Sequence, residues 1–510
     1  MTTDTLLSHR SVSGKQWRMR AVDERAALAL SQREGLPDIV ARILTGRGIG
    51  LEDSAKFLEP TLRDWMPAPG HLKDMDQAVA RIIAAVETGE TIAIFVDYDV
   101  DGASSSALLH RYFSALSAFT RLYIPDRMAE GYGPNAPALE RLAREGATLA
   151  ITVDCGTLAF DALEAAANAG LEMIVVDHHQ AEPRLPKAAA VVNPNRLDED
   201  SPVTHLAAVG LAFLLTVAVN RGLREAGWFA RAGIREPDLL SLLDLVALGT
   251  VCDVVSLTGL NRAFVAQGLR VMAGRRKVGL NALADVAKME SVPEAYHLGF
   301  ILGPRVNAGG RVGQSDLGAT LLATENRAEA LEIAKRLDVF NTERKAIEAD
   351  VQEQAIAEVE RMADATGALP SAIVVAAEGW HPGVIGIVAG RLKERYDRPS
   401  LVIGFPDGYQ QPGKGSGRSL TGIDLGSAII AAHQAELLLA GGGHAMAAGL
   451  TIAADQVEAF RAFLIARVDK VMADGLGAPS LTLDAALSHS GATLELVEPL
   501  SRLATFGKGR

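Results

Sequence analysis

Three short apolar runs, each ending at an aspartate, constrain the fold of this chain more than any other feature. The runs are residues 91–96, 148–153 and 171–176, and the aspartates that follow them are Asp97, Asp154 and Asp177. Apolar runs of this length are typical of strands buried on both faces, and the alanine-rich segment 160–169 has the length of a crossover helix. The pattern predicts βαβ units around a parallel sheet, with the aspartates at the carboxyl edge, where such sheets bind ligands.

A second α/β region is predicted beyond a long segment that lacks glycine and proline. Residues 319–366 contain neither, and their apolar residues recur at helical spacing. We therefore expect a connecting helix there, either continuous over about 70 Å at about 1.5 Å per residue or broken at Asn326 or Asn341. The segments that follow predict a strand, a helix and a strand at 372–377, 384–394 and 400–404.

The length of the chain indicates several domains, because a single core stops growing at about 250–300 residues and this sequence has 510. We predict an N-terminal region at 1–70, a catalytic α/β domain at 71–318, the connecting helix at 319–366, a smaller α/β domain at 367–475 and the start of a third domain at 476–510. The chain ends abruptly at 506–510, and we interpret this end as a truncation.

Net charge and cysteine content narrow the class of protein only modestly. The net charge of −12 argues against nucleic-acid binding, although basic residues occur locally, at 275–277 and at Lys414. The two cysteines, Cys155 and Cys252, give no disulfide framework and fit a reducing cytoplasm. The longest apolar run, 207–219, is shorter than the roughly 20 residues of a membrane helix, so no membrane association is expected.

Carboxylates crowd the first predicted strand end. Three of them alternate in the motif Asp97-Tyr98-Asp99-Val100-Asp101-Gly102. Acids so close together repel one another, and a divalent cation would offset that repulsion. A calcium-binding loop would need a glutamate at its twelfth position, which here is Leu108. The motif therefore predicts a metal site of another kind.

Further candidate ligands follow at Asp154, in the Asp177-His178-His179 motif and at Asp253. Taken singly, each aspartate could equally be a helix cap and the histidine pair could be structural. Together they supply oxygen ligands with imidazole, a set suited to Mn²⁺ or Mg²⁺ rather than to a closed zinc site. We predict two ions, about 3.5–4 Å apart, that share several of these ligands.

Four motifs in this region resemble those of the DHH phosphoesterase superfamily. They are Asp97-Tyr-Asp-Val-Asp-Gly102, Thr152-Val-Asp-Cys-Gly156, Asp177-His-His179 and Gly249-Thr-Val-Cys-Asp253. The resemblance implies that the metal ligands, or the residues supporting them, are Asp97, Asp99, Asp101, Asp154, His178 and Asp253. It also makes Asp154 the bridging carboxylate and His179 a partner of the phosphate.

Other segments are similar to the RecJ branch of this superfamily. They lie at 124–127, 130–133, 303–311, 340–345, 380–391 and 415–419, and the glycine-rich segment 441–449 resembles the DHHA1 domain. The resemblance implies a DHH domain at 71–318, a DHHA1 domain at 367–475 and the start of an OB-like domain at 476–510. Because most of that last domain would be missing, we expect weak, salt-sensitive binding of long strands.

Several basic or polar residues in these segments are candidate substrate contacts. Arg418, with Ser416, lies in a Gly-Ser-Gly-Arg-Ser segment where backbone N–H groups and a guanidinium could bind a phosphate, although a solvated loop is the alternative. Arg305 and Arg311 flank an Asn-Ala-Gly-Gly turn and could stabilise phosphoryl charge or form ion pairs. His444 could bind phosphate or backbone carbonyls, and Arg127 is added by the resemblance.

The resemblance implies a metal-dependent exonuclease that hydrolyses single-stranded DNA from its 5′ end to 5′-mononucleotides. Asp154, His179 and Arg305 would be its catalytic residues. It would act in DNA repair and recombination in the cytoplasm, with a single-strand-binding protein and a helicase as candidate partners. The alternatives are a phosphodiesterase of short oligonucleotides or cyclic dinucleotides, and a non-catalytic replication scaffold. A scaffold should have lost metal ligands, and every candidate ligand is present.

Overall fold

The computed structural model of this chain describes residues 11–12, 14–126, 130–473 and 480–507. The chain forms two compact units. One contains Ala21–Asn341 with Leu487–Arg510, and the other contains Met1–Arg20 with Thr342–Ala486. Among the described residues, no helix is both long and apolar enough to cross a lipid bilayer.

The first unit contains the predicted parallel sheet. Its five strands pair in the spatial order Thr120–Tyr123, Thr91–Val96, Ala147–Val153, Glu172–Val176 and Ala190–Val192. All four pairings are parallel. The three strands predicted from apolar runs are therefore confirmed to within one residue at each end, and the two edge strands were not predicted.

Side chains of the central strands alternate between two cores because successive residues of a strand point to opposite faces. Ile92, Ile94 and Val96 pack into one cluster with the helices of one face. Ala93 and Phe95 pack into the other cluster with the helices of the opposite face. Burial of each large apolar side chain contributes roughly 1.5–3 kcal/mol, and this double burial explains why the runs are continuously apolar.

Helices pack against both faces of this sheet, and further helices precede and follow its strands in the chain. The described helices of four or more residues are Glu24–Glu34, Asp38–Gly46, Ser54–Leu58, Leu62–Trp65, Met75–Thr88, Val100–Ala115, Ala136–Arg144, Phe160–Asn168, Ala208–Glu225, Trp228–Ala232, Leu239–Leu242, Leu243–Cys252, Gly259–Ala273, Val278–Val286, His297–Leu302, Gly303–Val312, Leu317–Ala323 and Val497–Ser501. His297–Leu302 is a π-helix.

The predicted connecting helix is one continuous helix, Arg327–Thr366, of 40 residues, which corresponds to about 60 Å. It begins after Asn326, whose side-chain oxygen accepts hydrogen bonds from the backbone N–H groups of Ala328 and Glu329. Asn326 therefore breaks the helix by capping it. Asn341 lies inside the helix and does not interrupt it.

The second unit has a mixed five-stranded sheet. Its strands pair in the order Ala440–His444, Ala447–Ile452, Gly413–Arg418, Ser400–Phe405 and Ile373–Glu378. Only the last pairing is parallel. The helices of the described part are Pro382–Tyr396, Leu425–Gln434 and Val457–Ala473, with the 3₁₀ turn Ala454–Gln456. The predicted strand, helix and strand at 372–404 are confirmed.

Two glycine-rich segments of the second unit form strands. Residues 413–418 form an interior strand, so the alternative of a solvated loop at 415–419 is wrong, and the segment 441–449 contributes to two antiparallel strands. The predicted OB-like start is not confirmed: Ser480–Leu483 pairs in parallel with Gln16–Met19. Residues 474–479 and 508–510, part of that prediction, lie outside the described residues.

Candidate metal centre

The carboxyl edge of the parallel sheet brings the candidate ligands together. Potential ligand atoms lie within 4.8 Å of one another in three groups: Asp97, Asp99 and Asp154; Asp154, His178 and His179; and Asp101, His178 and Asp253. Asp154 and His178 each belong to two groups, so the groups form one continuous cluster. The cluster contains every ligand predicted from the sequence.

The turn at 97–102 is held by a hydrogen bond between the Asp99 side chain and the backbone. Asp99 caps the helix Val100–Ala115, and its Oδ1 accepts a hydrogen bond from the Gly102 N–H at 3.0 Å. A Cβ at Gly102 would collide with the carbonyl oxygen of Asp97. Glycine is therefore required where the chain turns from the strand into the helix.

Asp101 is fully buried and ties this turn to a second helix. Its two carboxylate oxygens accept hydrogen bonds from the N–H groups of Ala208 at 2.7 Å and Val209 at 2.9 Å, at the start of the helix Ala208–Glu225. Burial, with repulsion from Asp99, raises the pKa of Asp101 to about 7. The position of Asp101 thus depends on the helix that it caps.

Two residues at the centre adopt left-handed backbone conformations. The φ angle is 63° at Asp154 and 61° at Val254, which follows Asp253. Aspartate tolerates this region, but a β-branched valine rarely adopts it. Such conformations persist where the surrounding structure enforces them, and they cluster at functional sites.

His178 lies between two of the carboxylates. Its Nε2 is 3.1 Å from Asp154 Oδ1, and its Nδ1 is 3.7 Å from Asp253 Oδ2. Burial, with the neighbouring charge of His179, lowers the pKa of His178 to about 4. The imidazole is therefore neutral at pH 7, which is the form that binds metal ions.

Asp177 orients His179. The Oδ1 atom of Asp177 accepts hydrogen bonds from the backbone N–H groups of His178 and His179 and from His179 Nδ1 at 2.8 Å, and Oδ2 accepts one from the Thr157 N–H. Burial opposes the ionisation of Asp177, but these hydrogen bonds outweigh it and lower its pKa. Burial also lowers the pKa of His179, yet the contact with Asp177 outweighs this effect and raises it.

Three supporting residues were not predicted from the sequence. Asn193 donates to the carbonyl of His179 at 2.9 Å, and Asn195 donates to the carbonyl of His178 at 2.5 Å. The Tyr132 hydroxyl donates to the carbonyl of Asp154 at 3.2 Å. For Asn193, the sequence does contain a signal that could have predicted its role: it directly follows the apolar run 190–192, as the aspartates follow the other strands.

The electrostatics of the cluster fit divalent cations. Burial, followed by repulsion from Asp99 and Asp101, raises the pKa of Asp154 well above its usual range. These carboxylates supply the hard oxygen ligands that Mg²⁺ and Mn²⁺ prefer, with one neutral imidazole. The donor set therefore suits the two predicted ions. Their positive charge would offset the repulsion among the carboxylates, which the other contacts of the fold do not offset.

Arg305 and Arg311 lie on the helix Gly303–Val312, and the Asn-Ala-Gly-Gly segment predicted as a turn between them is part of this helix. Arg305 Nε donates to Asp338 Oδ1 at 2.9 Å, so the ion pair that the sequence left open is present. Arg311 follows Gly310, where a Cβ would lie 3.2 Å from the carbonyl oxygen of Tyr98. The end of this helix therefore packs against the turn that carries Asp97 and Asp99.

Three candidate phosphate contacts share one face of the second unit's sheet. Ser416 and Arg418 are two residues apart on one strand, and the register aligns Arg418 with Ala447 and Ala447 with His444. Residues aligned in this way project from the same face. Arg418 also donates to Ser416 Oγ at 3.2 Å, and burial lowers its pKa. Arg127 lies outside the described residues.

Comparison with known proteins identifies the two domains and the family. The DHH family N-terminal domain matches residues 91–250, and the DHHA1 domain matches residues 370–470. The single-stranded-DNA-specific exonuclease RecJ of Escherichia coli K12 is 36% identical over 97% of this chain and 85% of its own length. The chain belongs to the RecJ family. RecJ of Bacillus subtilis 168 is 34% identical over 97% of the chain and 60% of its own length.

Solved RecJ structures have the same fold. RecJ from Thermus thermophilus in complex with Mn²⁺ has a TM-score of 0.80 and 29% identity, covering 96% of this chain and 68% of that one. The same protein in complex with Mg²⁺ has a TM-score of 0.74 and 28% identity, covering 97% and 66%. The α/β fold with DHH and DHHA1 domains, expected for RecJ, is therefore confirmed.

Proposed function

We propose that this chain is a metal-dependent exonuclease that degrades single-stranded DNA from its 5′ end and releases 5′-mononucleotides. One observation carries the proposal: a complete carboxylate and histidine cluster stands at the carboxyl edge of the sheet of a RecJ family member. The E. coli relative is named a single-stranded-DNA-specific exonuclease, and RecJ of T. thermophilus has been solved with Mn²⁺ and with Mg²⁺.

We propose that the cluster holds two Mn²⁺ or Mg²⁺ ions. The ligands would be Asp97, Asp99, Asp101, Asp154, His178 and Asp253, with Asp154 shared between the ions. Ions bound there would lower the pKa of water to give a nucleophile and would offset charge on the phosphoryl oxygens. Asp101 supports the site through the helix that it caps, since both of its oxygens accept backbone N–H groups.

His179 and the arginines are proposed to bind the substrate phosphates. Asp177 accepts from Nδ1 of His179, and Nε2 lies 3.4 Å from the Tyr132 hydroxyl, a contact that a phosphate oxygen would replace or share. Arg311 lies beside the turn of the metal centre, whereas Arg305 would have to exchange its contact with Asp338 to reach a phosphate. Ser416, Arg418, His444 and Arg127 are proposed to bind the terminal 5′-phosphate and strand backbone.

The cellular setting is also a proposal. A nuclease of this kind would act in DNA repair and recombination in the cytoplasm, with a single-strand-binding protein and a helicase supplying its substrate. The free thiols of Cys155 and Cys252 are consistent with a reducing compartment.

The test compares matched substrates labelled at either end. A single strand labelled at its 5′ end should release labelled mononucleotide at the first turnover in Mn²⁺, whereas the 3′-labelled strand should shorten progressively. Duplex DNA and a dinucleotide should react at least tenfold more slowly, and EDTA or Asp154→Asn should abolish the reaction.

Other product patterns contradict the proposal. A dinucleotide degraded as fast as the long strand would indicate a phosphodiesterase of small substrates. Binding of single strands without hydrolysis in either metal would indicate a scaffold.

A further inference from the structure

Two aromatic side chains are stacked on each other at the surface of the first unit. The ring centroids of Tyr296 and Phe300 are 5.2 Å apart, with an interplanar angle of 26°. Tyr296 is 59% exposed and Phe300 is 70% exposed. Rings of this size usually stabilise a fold by being buried, so an exposed pair with parallel faces indicates a contact with something outside the unit.

The pair lies on a segment that packs beside the candidate metal centre. Both rings belong to the turns around the π-helix His297–Leu302. The thiol of Cys252 donates to the carbonyl of Leu298 at 3.4 Å, and a Cβ at Gly299 would lie 3.4 Å from Val251. Because Cys252 directly precedes Asp253, the aromatic segment contacts the chain within one residue of a candidate ligand.

The helical geometry of this segment has a local cause. Pro304 has no N–H group, so it cannot donate to the carbonyl of Phe300 as a regular α-helix would require. The backbone widens into a π-helix before the next helix begins at Gly303. Such segments are rare and occur frequently at functional sites.

The chemistry of the segment selects the class of ligand. Residues 289–304 contain no lysine or arginine and carry Glu290 and Glu294, so the segment offers no cation for phosphate binding. It offers flat rings, on which every base can stack because each has a π-face. A nucleic-acid contact here would therefore be with bases and not with the backbone.

We infer that Tyr296 and Phe300 form a stacking platform for the bases of the single strand whose phosphate lies at the metal centre. The inference rests on the proposed function. The platform holds nucleotides next to the bond being cleaved, while the turn carrying Asp97 and Asp99 and the residues around His179 act on the phosphate. The pair thus contributes to strand affinity and does not take part in bond cleavage.

The experiment compares strands with and without bases at matched length. A 5′-phosphorylated oligonucleotide and a version with abasic residues beyond the first nucleotide are hydrolysed in Mn²⁺ by wild type, Tyr296→Ala and Phe300→Ala. Each variant should raise KM about tenfold on the normal strand, within the range known for loss of one stacked base. The kcat should change less than twofold, and KM on the abasic strand should not change. Phe300→Trp should restore the wild-type KM.

Phe119→Ala is the matched control. Phe119 is 67% exposed and precedes the strand Thr120–Tyr123, so it lies at the amino edge of the same sheet, opposite the metal centre. This variant should not change KM. In equilibrium binding, Tyr296→Ala should lower the affinity for the single strand by the same factor at all salt concentrations. The substitution removes no charge that binds a phosphate.

The outcomes separate the platform from the proposed function. Equal KM values for wild type and both alanine variants on the normal strand would overturn the platform, as would equal increases on the normal and abasic strands. A wild-type protein that hydrolyses no single strand would overturn the proposed function. The equilibrium binding measurement would then test the stacking platform by itself. Equal affinities of Tyr296→Ala and wild type for the normal strand would overturn it.

Discussion

Asp177 lies beside the cluster but belongs to none of its three groups of potential ligands, and its contacts are with N–H groups. It accepts four hydrogen bonds, one of them from the ring of His179. A carboxylate has no proton to donate, so His179 must carry its ring proton on Nδ1. Asp177 is therefore a positioning residue that fixes the tautomer and orientation of His179.

Substitution Asp177→Asn keeps the shape of this side chain but replaces one acceptor with a donor. We expect the rate of single-strand hydrolysis in saturating Mn²⁺ to fall about 10–100-fold, the usual effect of losing a partner that orients a residue of a metal site. Stability should fall by about 1.5–3 kcal/mol, since a hydrogen-bonded charge is lost. Rates and thermal melting measure the two effects separately.

Asp23→Asn serves as the control for this prediction. Asp23 caps the helix Glu24–Glu34 by accepting from the Arg25 and Ala26 N–H groups, and asparagine caps a helix about as well as aspartate. The Asp23→Asn variant should therefore retain wild-type activity. Full activity of Asp177→Asn would show that the backbone alone orients His179.

Residues directly after apolar strands could be predicted from the sequence, and residues that depend on distant partners could not. Asp97 and Asp154 follow near-continuous apolar runs, so their meeting at one edge was predictable. Asn193 supports the site by donating to the carbonyl of His179, and this contact depends on the tertiary fold that brings the two residues together. The contact of Arg305 with Asp338 joins residues that are 33 positions apart, and many acids could have supplied that partner.

At the scale of elements, glycine content hides the strand Gly413–Arg418. Glycine is depleted in strands, so the composition of this segment does not predict one. In the fold, a Cβ at Gly417 would lie 2.7 Å from Leu425 and 2.9 Å from Leu401. The strand is glycine-rich because large side chains of its neighbours occupy that space, and this tertiary requirement cannot be derived from local propensity.

Two of the three glycines in the helix Pro382–Tyr396 differ in the space around them, and this difference separates the effect of packing from that of helix propensity. A Cβ at Gly386 would lie 2.9 Å from Ser416 Oγ and 3.2 Å from an Arg418 guanidinium nitrogen, whereas a Cβ at Gly390 would meet nothing within 4 Å. Gly386→Ala should therefore displace both proposed phosphate contacts. We expect it to reduce the kcat/KM ratio between 5′-phosphorylated and 5′-hydroxyl strands about tenfold, a displaced charge-assisted contact being worth about 1.5–3 kcal/mol.

Gly390→Ala is the matched variant on the same helix. It should keep the wild-type ratio and stabilise the protein by up to about 1 kcal/mol, because alanine favours a helix over glycine. If both variants keep the ratio, the face carrying Ser416 and Arg418 does not select the 5′-phosphate.

At the scale of the whole molecule, part of the net charge of −12 is concentrated at one point. Asp99, Asp101 and Asp253 all raise the pKa of Asp154, after burial as the largest cause. The metal-free protein therefore keeps a repulsion that opposes folding, and bound cations should convert it into an attraction. The net charge by itself argues weakly against nucleic-acid binding. A sum of charges is misleading here because it does not reveal that acidic residues are clustered at one site.

This clustering predicts opposite effects of one substitution on stability with and without metal. In EDTA, Asp154→Asn should melt a few degrees above wild type, because it removes a buried charge from a group of like charges. In saturating Mn²⁺, wild type should gain about 2.7 kcal/mol at a concentration 100 times the Kd, and the variant should gain much less, so the order reverses. Asp161→Asn, an exposed acid in the first turn of the helix Phe160–Asn168, should match wild type in both conditions. Differential scanning calorimetry of the three proteins measures all of these shifts. A wild-type protein that melts above Asp154→Asn in EDTA would mean that the fold already compensates the carboxylates, and the cluster would not need cations for its stability.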